Sequence, residues 1–181
     1  PYTFTVSKSS YFSIGDRANG TSDPFKGKID DIKVFNKLLN DIEVYALFKE
    51  GQTSDLKTSL VTYYPFNNDA NDDSGNNRNP DITLGATYVN EPGNTFGSAI
   101  SFTGDHNNSG IVISKQNDLN LDQQSFTIAA RFKTDKHSTN VLRKGFNGSL
   151  DGFMLQIDHE GHLSIGLGPK NSVNNDDFTK A

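Results

Sequence analysis

The chain has no cysteine and no tryptophan, one methionine and six prolines among 181 residues. Without cysteine no disulfide can close the fold, so a packed core must hold it, and a chain of this length can bury one without covalent staples. Positive charge is in short supply: 17 Lys and Arg stand against 22 Asp and Glu, a net charge of -5. An acidic surface serves neither phosphate tracking nor attraction to anionic lipid, which argues against nucleic-acid and membrane-surface partners. No apolar run is long enough to span a bilayer, so no membrane insertion is expected, and no signal peptide is visible in this stretch of chain. Hydrophobic residues make up only 33%, while Asn, Asp, Gly, Ser and Thr abound. That mixture suits short strands joined by polar loops.

Several catalytic devices are missing as well. There is no Gly-x-Ser-x-Gly elbow, no cysteine nucleophile and no glycine loop of the kind that cradles phosphate. His159-Glu-Gly-His162 places its histidines three apart, where a helical zinc site needs four, and Gly161 favours a turn. His106 and His137 sit in polar surroundings and read as solvated.

What is present is alternation. Strands are expected at residues 2–6, 11–15, 60–66, 82–84, 87–89, 99–102, 110–113, 125–133, 140–144, 152–157 and 162–167, with a turn cluster at 20–24. The stretch that organises the rest begins at Phe25. Its first half reads as a strand, with Ile32 and Val34 on one face and Ile29 and Phe35 on the other. Asp30 falls in register with Ile32 and Val34, and a carboxylate on a core-facing row needs a metal ion, a cation or several donors. The second half reads as a short helix. Asn40 is a good N-cap, Glu43 can close a capping box, Leu39 can staple onto Val44, and Gly51 ends it. Many short strands with one helix predict an all-β sandwich of two sheets. Residues 168–181 are polar, with little to bury, and are expected to lack a strand.

The order Gly27-x-Ile29-Asp30-Asp31-x-x-Val34-x-Asn36-x-x-Leu39, followed by Ala46-Leu47-Phe48, resembles the closing segment of laminin-G-like, concanavalin-A-like jelly-roll modules of secreted proteins. Leu60-Val-Thr-Tyr-Tyr-Pro-Phe-Asn-Asn-Asp-Ala-Asn-Asp-Asp-Ser-Gly-Asn resembles their opening segment, and Ala99-Ile-Ser-Phe-Thr-Gly and Phe126-Thr-Ile-Ala-Ala-Arg-Phe resemble the strands that follow. The resemblance implies an all-β, two-sheet antiparallel jelly-roll sandwich with one short helix, and a secreted or cell-surface location. Here the closing segment comes first. Residues 1–51 then form a closing segment, 52–59 a joint that is either a flexible linker or a snug loop, and 60–181 the opening and central strands. Two readings fit this order: a circularly permuted domain, or a window cut from a tandem array. The absence of the tryptophan-bearing strand such modules carry between their halves favours the window. In that case neighbouring copies of the module are expected as partners, assembling into a filament by strand donation.

The loop from Asn67 to Asn77 alternates hard oxygen donors at Asp69, Asn71 and Asp73, with Gly75 for the turn. It is not an EF-hand, since the glycine comes one residue late and Pro80 stands where the bidentate glutamate belongs. A turn-rich loop whose Asn and Asp cap their own backbone gives the same pattern. Family members often hold a structural calcium near the closing strand, so the resemblance implies a calcium site built from Asp30, Asp69, Asn71 and Asp73. Asp105 lies in a second acidic loop and reads as a hairpin turn.

The same sandwich serves endo-glucanases, which place alternate carboxylates along one strand. Gln156-Ile-Asp-His-Glu160 is a near miss, but Gln156 holds the nucleophile position and an amide cannot form a glycosyl ester. The stretch reads better as a polar hairpin turn, so no catalytic residue is expected. Asn19, Asn107 and Asn147 match the glycosylation triplet, which is frequent in so asparagine-rich a chain. Three functions from different classes follow: a glycan- or ligand-binding adhesion module with Tyr11, Tyr63, Tyr88 or Phe146 stacking on sugar, a structural filament or spacer repeat, and, disfavoured, a glycoside hydrolase.

Overall fold

The computed structural model describes residues 11–15, 23–50, 54–90, 97–105, 109–113, 119, 121, 125–145, 152–168 and 178–180. Twelve strands are present among them: β1 (Phe12–Ile14), β2 (Lys26–Phe35), β3 (Leu60–Tyr64), β4 (Ile82–Leu84), β5 (Ala86–Asn90), β6 (Ser98–Thr103), β7 (Gly110–Ile113), β8 (Thr127–Lys133), β9 (Thr139–Lys144), β10 (Gly152–Ile157), β11 (Leu163–Gly168) and β12 (Phe178–Lys180). One α-helix, α1 (Asp41–Glu50), and one 3-10 turn (Ser54–Ser59) complete the described elements. The expected strand over residues 2–6, the helix stop at Gly51 and Phe146 lie outside the described residues. No described helix is long and apolar enough to cross a membrane.

The fold is all-β, with two antiparallel sheets packed face to face. The larger is ordered β12-β11-β10-β9-β1-β7-β4. In the smaller, β2 is the spine: β8 runs along one edge, while β6 and β3 take successive halves of the other, and β5 pairs with β6. Both sequence segments therefore share one sheet within a single chain. The polar connector between them carries Leu56, which is buried in a small cluster with Phe35, Leu39 and Leu60. It is a snug connection. The terminal stretch expected to lack a strand supplies β12, paired with β11.

The main core lies between the sheets and joins Ile14, Ile111 and Phe153 of the larger to Ile29, Ile32 and Ile100 of the smaller. Phe12 stacks on Tyr64, which stacks on Phe66, at centroid distances of 6.4 and 6.1 Å. These rings tie one sheet to the other, each such pair contributing about 0.5–1.5 kcal/mol beyond its buried area.

The β2 register corrects the expected facing. Asp30 stands opposite Arg131 and Lys33 opposite Ala129, so three steps on β2 match two on β8. The extra residue is a bulge, and Asp31 takes it up with φ +51°, in the left-handed region that aspartate tolerates better than most residues. Because of it, Ile29 joins Ile32 and Val34 on the inner face, whereas Phe35 enters the small cluster outside.

Candidate functional site

The bulge also decides where the charged residues of β2 go. Phe35, Lys33 and Ala129 belong to the outer face of the smaller sheet, and α1 crosses over that face. The helix is built as its sequence suggests: Asn40 Oδ1 accepts the Ile42 and Glu43 N–H groups at 3.0 Å, and Glu43 returns a carboxylate oxygen to the Asn40 N–H at 3.0 Å. Lys37 pairs with Glu43, and the hydrogen bond from Lys37 holds the Glu43 carboxyl below its ordinary range. Thr127 then pins the helix start to β8. Its hydroxyl donates to the Lys37 carbonyl at 2.9 Å and accepts the Leu39 N–H at 3.1 Å.

Between α1 and β8 lies a groove of about 330 Å³. Leu39, Val44, Leu47 and Phe48 form its apolar wall, and Asp31, Lys33, Thr127, Ala129 and Arg131 its floor. The Asp31 carboxylate organises that floor. It accepts the Tyr63 hydroxyl at 2.8 Å and lies 3.3 Å from Lys33 Nζ and 3.8 Å from Arg131 Nε. Lys33 is buried, and its ammonium sits 4.4 Å from the centre of the Tyr63 ring. Burial raises the Tyr63 phenol well above its ordinary pKa, and the charges of Asp31, Asp30 and Asp73 add to the effect. The result is a fixed polar floor beneath an apolar helix, with Phe48 73% exposed at the rim. Such a groove offers hydrogen bonds below and a flat ring beside them.

The four expected calcium ligands are distributed differently. Asp69, Asn71 and Asp73 are exposed, and Asp30 is buried in β2. Asp69 closes an Asx turn on the Asn71 N–H at 2.9 Å, and its charge bears on Tyr88, whose phenol is raised chiefly by burial. Asp30 and Asp73 bear instead on Tyr63. Among the described residues, Asp30, Asp69 and Asp73 do not form a group with all ligand atoms within 4.8 Å, which Asp158, Glu160 and His162 do.

The residue that organises this loop is one that the alternation passes over. Asp72 is buried and accepts four hydrogen bonds: from the Tyr63 and Ser74 N–H groups at 2.9 and 3.1 Å, the Ser74 hydroxyl at 3.0 Å and the Arg78 N–H at 2.9 Å. Asn76 Nδ2 donates to the Leu60 and Val61 carbonyls at 3.0 Å, and the Asp73 N–H to the Tyr63 carbonyl at 2.8 Å. The loop thereby caps the far edge of β3. The spacing Asp72-x-Ser74, an Asx-turn pattern, was the available signal.

Asp158 to Gly161 is the hairpin turn expected between β10 and β11. Asp158 Oδ1 accepts the Glu160 and His162 N–H groups, both at 2.9 Å. Gln156 lies within β10 while Asp158 and Glu160 lie beyond its end, so the three do not line one strand. Thr103 donates its hydroxyl to Asp105, as a turn requires. Of the aromatics considered for stacking, Tyr11 is exposed, Tyr88 packs on the core and Tyr63 belongs to the groove floor. Comparison of the chain with family models, with curated proteins and with solved structures returns no match.

Proposed function

We propose that this chain is a non-catalytic adhesion or carbohydrate-recognition module, of laminin-G-like kind, in a large secreted or cell-surface protein. The observation that carries the reading is the groove beneath α1, where exposed Phe48 stands beside an ion-paired polar floor. Sugar rings present an apolar face and a rim of hydroxyls, and this groove pairs a ring with fixed donors. Two cations, Lys33 and Arg131, face the carboxylate of Asp31, with Asp30 opposite Arg131 in the strand register. That balance suits a neutral glycan. Calcium is not needed to build the groove. Gln156 in the strand and two carboxylates in the turn leave the hydrolase reading without its nucleophile.

A glycan array probed with the intact chain tests the proposal. Selective binding should be lost in Phe48→Ala without loss of the folded state, because that ring contributes little to the core. A blank array would refute it in favour of a structural spacer, and steady release of reducing sugar from β-glucans would refute the non-catalytic part.

A further inference from the structure

The helix α1 is apolar on both of its faces. Toward the sheet, Leu47 packs on the cluster of Phe35, Leu39, Leu56 and Leu60. On the far side Ile42, Tyr45 and Phe48 are 80%, 62% and 73% exposed, and Leu38, just ahead of the helix, is exposed as well. Helical positions three apart lie about 60° from each other, so Ile42 and Phe48 flank Tyr45 and the three form one stripe. A helix that is apolar all round is ordinarily covered all round, and a continuous exposed stripe marks an interaction surface where scattered apolar residues do not. Charges of both signs border it. Lys49 leans over the stripe, its Nζ 6.0 Å from the centre of the Tyr45 ring, and Asp41 is exposed about one turn to the other side of Tyr45.

We infer that this stripe is the contact between two copies of the chain, their α1 helices packed antiparallel about a twofold axis at Tyr45. The spacing around Tyr45 commits the surface to a second copy. Ile42 and Phe48 stand three residues to either side of it, and Asp41 and Lys49 four. When two such helices cross antiparallel at Tyr45, Ile42 of each copy comes level with Phe48 of the other, and Asp41 of each with Lys49 of the other. A twofold contact needs that self-complementarity, because the same patch serves both copies. Parallel packing would instead set Asp41 level with Asp41 and Lys49 level with Lys49, and would align the two helix dipoles. Three or four side chains cover less than the roughly 800 Å² per partner of a standard interface, so the dimer is weak and forms with rising concentration. The contact goes beyond the glycan reading and shares only Phe48 with it, since Ile42 and Tyr45 are not among the residues that line the groove.

Charge exchange in the full chain tests the contact and its direction together. In sedimentation velocity the unmodified chain should dimerise as its concentration rises through the micromolar to millimolar range. Asp41→Lys and Lys49→Asp each set like charges level with one another, and each variant alone should dimerise about tenfold more weakly. An equimolar mixture of the two should dimerise as well as the unmodified chain, because every exchanged charge then meets its opposite. Ile42→Asp should abolish dimerisation while leaving far-UV circular dichroism and glycan binding unchanged, so the dimer and the groove can fail independently. A chain that is monomeric at every concentration overturns the inference and leaves the stripe to an unlike partner. Undiminished dimerisation of Ile42→Asp overturns it too, as does a mixture of the charge variants that associates no better than either alone.

Discussion

β3 and β8 flank the same strand and differ in how their far edges are treated. Beyond β3, the loop at residues 67–80 satisfies the edge with its own side chains: Asp72 takes the Tyr63 N–H, Asn76 reaches the Leu60 and Val61 carbonyls, and Arg78 Nη1 donates to the Val61 carbonyl at 2.7 Å. Beyond β8 no described strand follows, and its inner row is half-buried. An exposed edge is a template for another chain, and proteins that must stay single cover it. One side of this sheet is sealed by local sequence, and the inner row of the other is half-buried among the described residues.

The contrast can be broken most sharply in the core. Ile32→Ala on β2 should cost about 4 kcal/mol, since it empties a fully buried site that cannot refill. Ile128→Ala on β8 should cost nearer 1.5 kcal/mol, because part of that side chain already faces water. Equal losses in urea unfolding would show that the two strands are covered alike. Asp72→Ala comes next, at about 2–3 kcal/mol: it leaves three backbone N–H groups, those of Tyr63, Ser74 and Arg78, without their acceptor and uncovers the β3 edge. Light scattering should then report association into larger assemblies, which the unmodified chain lacks.

Alkaline pH gives a smaller effect with a definite sign. Burial raises the phenols of both Tyr63 and Tyr64, so the folded state keeps protons that the unfolded chain gives up. Their contribution to stability is complete below the ordinary tyrosine pKa near 10 and is lost as pH climbs beyond it. Tyr63→Phe should flatten the fall in unfolding free energy above that pH, and an unchanged slope would count against the Asp31 pairing. The smallest expected effect is that of chelation. Since Asp72 itself accepts the N–H groups that fix the loop, removing calcium should leave the thermal midpoint where it was, and a clear drop would place a metal in the protein.

Most of the architecture was legible because the strands alternate and their turns carry Asn, Asp and Gly, as around Gly161 and Gly75. The α1 cap was legible for the same reason, all its partners lying within four residues. The facing of β2 was not, since a bulge between Asp30 and Lys33 is set by the strand it meets at Ala129 and Arg131, about a hundred residues later. The role of Asp72 was hidden because its acceptor geometry exists only once β3 lies beside the loop. The groove was equally out of reach, as its two sides, Leu39 and Thr127, are 88 residues apart.

The position of β2 has a consequence for synthesis on the ribosome. It pairs with β3, β6 and β8, and every one of them follows it in the chain. At 5–20 residues per second, the interval between translation of β2 and of β8 is roughly 5–20 s. For that time a ten-residue strand with seven buried positions has no native neighbour along one entire edge. Nascent chains on one polysome carry this same strand close together, so Lys26, Lys28 and Lys33, whose like charges oppose pairing of one β2 with another, protect the chain before it is folded.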